Sequence, residues 1–345
     1  MVVAVGQDVQ AGALLVGDDG RVGVEELQYE RSRDRLLEFP AGTLMNEIES
    51  TWRWPRVVGK VEHDPRNPLE YAKLWRIAQA RAGSRKPVKF GTCSSQVLSI
   101  FLDSHTPEYA RDDKKQLIWD MAGAMNVELR QLAAAGAKVI QIEEPTIHFV
   151  ACFYPDQTEL LDFLVDAFNH EVDGLDEVEL WIHTCWGNPN MQKVYTGESY
   201  ERSIEIYLER LKGDVWTVEA TENELAEIDL FKPYAGRLQK KIAVGVVNHR
   251  TLQADMPPVV AGRVRRALEV IPADKLILSS DCGFGRQGFN RTVAFYKTTA
   301  IAQARNIVLK ELGLQERYVA AADPSLQVDV LPDREPLTHL PSPWK

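Results

Sequence analysis

In the stretch WIHTCWGN, residues 181–188, a histidine and a cysteine stand two positions apart at the end of an apolar run. Residues two apart in a strand point to the same face, so His183 and Cys185 can aim an imidazole and a thiolate at one point. Three readings are open: core filler, a nucleophile beside its base, or two ligands of a metal. Related groups end other apolar runs. Cys282 lies in SSDCGFG and Glu219 in TVEATEN. One histidine, two thiolates and one carboxylate make a tetrahedral zinc set. Taken singly, Cys282 reads as a small buried residue. Glu219 alone reads as a solvated loop carboxylate or an aid to a helix start. All four at strand ends favour a metal.

The elements that must position them alternate along the chain. Apolar runs with strand character occupy 87–95, 138–145, 178–188, 214–223, 241–250 and 275–285. Amphipathic helical patterns cover 113–136, 157–170, 199–213, 258–271 and 292–313, and Gly136, Gly213 and Gly313 stand at C′ positions. Strands alternating with helices mean an α/β fold with a parallel sheet. We expect a (β/α)8 TIM barrel rather than a doubly wound sheet. The reactive residues Glu143 and Glu144, His183 and Cys185, Glu219, Asn248 and His249, Asp281 and Cys282 end several different strands, and only a barrel gathers such ends at one mouth. No glycine-rich phosphate loop follows an early strand.

The first part is less regular. Residues 12–20 read as a strand and turn, 24–39 as a helix and 53–65 as an extended excursion. An eighth strand must come from residues 2–5 or be absent. Residues 1–330 are read as one barrel domain with an atypical N-terminal part, 1–65. The proline-rich residues 331–345 are read as a tail on the surface.

Composition removes several function classes. A net charge of -10 argues against a nucleic-acid partner. No apolar run is long enough to cross a bilayer, and the opening residues lack a signal-peptide pattern. The four cysteines, Cys93, Cys152, Cys185 and Cys282, are too few for a disulfide framework in 345 residues. The expectation is a reduced, cytoplasmic protein with no membrane partner.

The stretches VIQIEEP, IHTCWGN, VEATEN, VGVVNHRTLQ and LILSSDCGFGRQGFNRTVAFYKTTAIAQARNIVLKELG span about 138 to 314. They resemble the cobalamin-independent methionine synthase family in its catalytic barrel. The last two are most similar to the short single-barrel relatives, the group that includes epoxyalkane:coenzyme M transferase. The resemblance implies one Zn2+ held by His183, Cys185, Glu219 and Cys282. It implies transfer of a methyl or other alkyl group to or from a thiol that the zinc keeps deprotonated. Glu143 takes the position of the family's aspartate, which binds the amino group of a thiol amino acid. The extra methylene leaves homocysteine, coenzyme M and other small thiols open, and folate, a corrinoid or another carrier as the donor. Asp281, Glu144 and His249 are candidates for the acid that protonates the leaving atom. Asn248 is a substrate contact or a loop cap. Trp186 stacks on a flat carrier or packs in the core. Arg286 and Arg291 hold an anionic tail or lie at the surface. Cys93, Cys152 and His148 are read as buried.

Residues 1–65 depart from the relatives' opening, and VGDDGRVG, with Asp18 and Asp19, stands where the family has a D-G-E motif. That departure points to a second subunit, or a second copy of the chain, completing the site. Three alternatives stay beside the methyltransferase: thiol addition of the coenzyme M kind, a zinc hydrolase, and a non-catalytic barrel subunit of a split enzyme.

Overall fold

The computed structural model describes residues 3–4, 56–84, 86–100, 102–104, 106–109, 113–187, 199–285 and 291–326. The expected elements at 12–20 and 24–39, the motif around Asp18 and Asp19, Arg286 and the tail 331–345 lie outside them.

Seven strands form one sheet. They are β1 (Val3–Ala4), β3 (Val88–Cys93), β5 (Val139–Glu143), β6 (Glu179–Thr184), β7 (Val215–Val218), β8 (Lys241–Val247) and β9 (Leu276–Ser280). Every pairing is parallel, and the strands lie side by side in chain order. A doubly wound sheet reverses its order at a switch point. This one does not, which is the order of a (β/α)8 barrel. Residues 2–5, expected as an eighth strand, contribute β1, which pairs Val3 with Val88 and Ala4 with Lys89. A separate pair, β2 (Arg56–Val57) and β4 (Asp103–Ser104), holds the extended segment that follows residue 53.

Period-two alternation divides the apolar residues between two cores. Ile140, Ile142, Ile182 and Val244 point outward and pack under the helices α1 (Tyr71–Ala82), α3 (Lys115–Ala134), α5 (Thr158–Glu171), α6 (Pro257–Leu268) and α7 (Arg291–Glu311). Val139, Trp181, Val215 and Ala243, with Ile277 against them, form a small cluster on the other face. These are odd-numbered positions on five consecutive strands, as expected of one side-chain layer inside a barrel. Further along the same strands the odd positions turn polar: Gln141, Glu143, His183 and Thr217.

The helices follow the expected pattern with one exception. Gly136 and Gly313 take φ +109° and +68° just beyond α3 and α7, where a left-handed residue closes a helix. Residues 199–213, expected as a helix, instead hold a short π-helical turn, Ile206–Arg210, closed by Leu211 N–H to Ile206 O at 3.1 Å. Packing explains it. The Tyr207 phenol donates to Glu144 O at 2.5 Å and accepts from His148 N–H at 3.1 Å. Its ring stacks on Trp216 with centroids 4.9 Å apart.

Candidate metal centre

Three side chains from two strand tips meet around one point. His183 is on the inward face of β6. Cys185 follows two residues later on the same side. Cys282 comes from the turn after β9. Their donor atoms lie within 4.8 Å of one another. The two sulfurs are 3.8 Å apart, too far for a disulfide. Two sulfurs on a tetrahedral zinc, each at about 2.3 Å, are separated by about 3.8 Å. Nε2 of His183 is buried and makes no direct hydrogen bond, with a Glu143 carboxylate oxygen 3.5 Å away. A buried ring nitrogen so placed can take a ligand. The donor set fits a zinc ion.

The electrostatics also call for a cation. Burial pulls the His183 imidazole down, but Glu143 and then Cys282 push it up on balance, to about 9. The Cys282 thiol is held well below its ordinary range by the Cys185 hydrogen bond, with help from His183. Glu143 stands 3.5 Å from His183 Nε2, and burial raises its carboxyl. Two thiols and nearby carboxylates make a pocket that attracts a proton or a metal alike.

The centre opens on a cavity of about 900 Å3 whose walls include Glu143, His183, Cys282, Gln141, Trp181 and Lys89. A hydrogen-bonded chain runs along its wall. Lys89 Nζ lies 4.2 Å from the centre of the Trp181 ring and donates to Gln141 Oε1 at 2.5 Å. Gln141 Nε2 then donates to Glu143 Oε1 at 2.5 Å. Burial lowers Lys89 to about 8. The sequence reading passed over Lys89 and Gln141, although both stand at inward strand positions that usually carry apolar residues.

Glu219 is placed apart from the three donors. It groups with His249 and Asp281, whose ligand atoms and its own lie within 4.8 Å of one another. Its carboxylate accepts from Arg250 at 3.0 and 2.9 Å and from Trp186 N–H at 3.0 Å. Burial raises Glu219 to about 7, with Arg250 opposing. Arg250 follows directly on Asn248 and His249 and was missed. A lone cation among strand-end acids was the available signal.

The candidate acids differ in setting. Asp281 accepts from the amides of Ala220 and Thr221 at 2.8 and 3.1 Å and from the Thr221 hydroxyl. Burial raises it to about 6. These bonds fasten the tip of β9 to the tip of β7. Glu144, raised by burial to about 7, accepts from the Ser94 hydroxyl and from Ile147 N–H at 3.1 Å. Ser94 also caps the helix α2 (Ser95–Ile100) by accepting from Val97 N–H at 3.2 Å. His249 is buried, and its charge lowers the Cys282 thiol. Neither Asp281 nor Glu144 lines the cavity; Glu143 does.

Asn248 accepts from the amides of Arg250 and Thr251 at 2.6 and 3.2 Å, which is loop-cap geometry. Trp186 is buried against His148 and Tyr200, with centroids at 4.4 and 4.8 Å. Cys152 lies 3.8 Å from His148 Nδ1, away from the donor group. Arg291 is exposed at the start of α7. Among the described residues no helix is long and apolar enough to cross a membrane.

The family model for the cobalamin-independent synthase catalytic domain matches residues 73–305. The chain belongs to this family. A methionine synthase of Saccharolobus solfataricus is 28% identical over 312 residues, covering 90% of this chain and 84% of its own. A 2-hydroxypropyl-CoM lyase of Xanthobacter autotrophicus is 25% identical over 339 residues, covering 90% and 85%. Among solved structures, a B12-independent methionine synthase from Shewanella sp. W3-18-1, in complex with selenomethionine, superposes with a TM-score of 0.61. It is 24% identical and is covered over 71% of its length by 75% of this chain. That likeness shows the barrel fold. The donor group, the Glu219–Arg250 pair and the cavity residues named above fall within the matched residues.

Proposed function

We propose that this chain is a zinc-dependent transferase that moves a methyl or other alkyl group to or from a thiol. The observation that carries the proposal is the meeting of a His183 ring nitrogen with Cys185 Sγ and Cys282 Sγ, His183 and Cys282 also lining the cavity. These three residues would hold the metal. When bound, zinc supplies a Lewis acid that keeps a substrate thiol deprotonated at neutral pH.

The chain's own residues do the rest. Glu143 is a buried carboxylate on the cavity wall, beside His183. Its burial is offset when a cationic group enters, so it suits the amino group of a thiol amino acid. Gln141 orients it, and Lys89 orients Gln141. Asp281 and Glu144 hold the strand tips in place through hydrogen bonds to the chain. His249, whose charge lowers the Cys282 thiol, is the third candidate for the proton that the leaving group needs, and like Asp281 and Glu144 it does not line the cavity.

A second reading has support from the lyase relative, whose coverage equals that of the methionine synthase. In it a coenzyme M-like thiol adds to an epoxide, and the alkyl group is the larger one.

The test uses the full chain loaded with zinc. Homocysteine with a methylated folate is compared with coenzyme M and epoxypropane, and protons are counted on thiol addition. Release of about one proton per thiol at pH 7, with turnover of one pair, is the expected result. Thiol binding without proton release overturns thiolate activation. Turnover by the chain alone removes the non-catalytic subunit.

A further inference from the structure

Two residues of β3 stand out on the cavity wall. Lys89 and Gly91 occupy alternate positions of the strand, so they share its inward face, and both line the cavity. Gly91 pairs in register with Gln141, and Glu143 pairs with His183 one strand further on.

The glycine has no local explanation. Its φ lies outside the left-handed region, so the backbone there suits any residue. Among the described residues, a Cβ built on it would meet no atom within 4 Å, so close packing does not require it either. A glycine inside a strand weakens it, and such a position often marks the close approach of a ligand. What Gly91 supplies is open space on the wall beside Gln141.

Lys89 gives that space a charge. Its ammonium carries three N–H donors. One goes to Gln141 Oε1 at 2.5 Å, and the face of the Trp181 ring lies 4.2 Å away. Glu143 and Glu179 act on Lys89 by charge alone, without a hydrogen bond. A donor is left for a ligand.

We propose that Lys89 and Gly91 are specificity-determining residues that receive an anionic tail on the substrate thiol. This rests on the thiol reading above and deepens it by naming the class: a short thiol ending in a carboxylate or a sulfonate.

Distance supports the assignment. Gln141, which Lys89 Nζ reaches, is one inward position below Glu143, and Glu143 stands level with His183. One inward step along a strand is about 6.6 Å. A thiol with two or three carbons between sulfur and anion covers that step, with its sulfur at the donor group and its anion at Lys89. A side chain on Gly91 would fill the space the tail needs. Charge supports it too. Lys89 is a cation that burial disfavours, and a charged hydrogen-bond partner offsets burial best. Glu143 does not repel the tail directly, because Oε1 accepts from the Gln141 amide and Oε2 faces His183.

The experiment is calorimetry on the full chain loaded with zinc. The probes are 3-mercaptopropionate, 2-mercaptoethanesulfonate and the neutral 3-mercapto-1-propanol. Wild type is expected to bind one or both anionic thiols about tenfold or more tighter than the alcohol, the worth of a hydrogen bond to a charged group. The tighter anion tells a carboxylate tail from a sulfonate. Lys89→Met should bring the anionic thiols to within about threefold of the alcohol. Gly91→Val should weaken them by about tenfold or more while zinc content stays that of wild type.

A preference that survives in Lys89→Met overturns the proposal for Lys89, and wild-type affinity in Gly91→Val overturns it for Gly91. Should Lys89→Met not fold, wild type answers through acetic anhydride labelling of Lys89, read by peptide mass. A saturating anionic thiol should slow labelling and the alcohol should not; equal slowing overturns the proposal. Equal affinity of wild type for all three thiols overturns it while the thiol reading stands. Binding of no thiol, the alcohol included, overturns both.

Discussion

The Sγ atoms of Cys185 and Cys282 lie 3.8 Å apart at the ends of β6 and β9, although 97 positions separate them in the chain. No local preference accounts for such an approach. It follows from four consecutive strands presenting their C-terminal tips to one mouth.

Metal content is the direct check. Protein purified without added zinc should carry one zinc per chain. Cys282→Ser should weaken binding by about 100-fold or more, since even second-layer changes cost 10–100-fold. Cys152→Ser is the control, because its thiol bonds Ser199 O at 3.3 Å and takes no part in the donor group. Undiminished zinc in Cys282→Ser would remove this cysteine from the metal set.

Gly245 is where the fold makes room for Asp281. A Cβ on Gly245 would lie 2.0 Å from Asp281 Oδ1 and 2.8 Å from Asp281 Cα. The register of β8 against β9 shifts between Gly245 and Val247, and the bulge brings the aspartate in. Gly245→Ala should cost about 3 kcal/mol in urea unfolding, the upper range for overpacking. A cost below about 1 kcal/mol would mean the β9 tip shifts freely.

Glu171 sets a pH dependence. Burial pushes it up to about 8 from 4.5, and Glu144 adds to the shift. The unfolded chain gives up this proton from about pH 4.5, while the folded chain keeps it to about pH 8. The unfolded state therefore binds fewer protons between those values, and stability falls as pH rises through them. Glu171→Gln removes the titration and keeps an acceptor for Ser95 N–H, now at 2.9 Å. The variant's loss of stability from pH 5 to pH 8 should be smaller than wild type's by more than about 1 kcal/mol. Parallel curves would show that Glu171 ionises normally in the fold.

Tyr207 tests the π-helical turn. Tyr207→Phe leaves Glu144 O and His148 N–H, both buried, without the phenol between them. A loss of about 2–3 kcal/mol is expected from two unmatched groups. An unchanged urea midpoint would mean that ring stacking alone fixes the turn.

Much of this fold is legible in the chain because strand periodicity is local. His183 and Cys185 share a face by spacing alone, and the odd-numbered positions of β5 to β9 repeat the rule. The barrel follows from where reactive residues fall relative to apolar runs. The Glu219–Arg250 pair is another matter. Its members are 31 positions apart and meet only because β7 and β8 are neighbours with a fixed register. Spacing could not say whether Glu219 turns to a metal or to a guanidinium. Trp186 was equally undecidable, since a packed and a stacking tryptophan look alike until Tyr200 and His148 are seen against it. The wide turn at Ile206–Arg210 answers to contacts with residues more than 50 positions away.

The donor group is also divided in time. A chain made from its N-terminus presents His183 and Cys185 well before Cys282, 97 positions after Cys185. At roughly 5–20 residues per second, that interval is on the order of 5–20 seconds. For that long the nascent chain carries a histidine and a thiol without the second thiol, in a sheet that still lacks β9. A bidentate site holds zinc far more weakly than a complete one. On the proposed function, zinc would load after β9 docks, and bound zinc would report that synthesis and folding of the barrel have reached its last described strand.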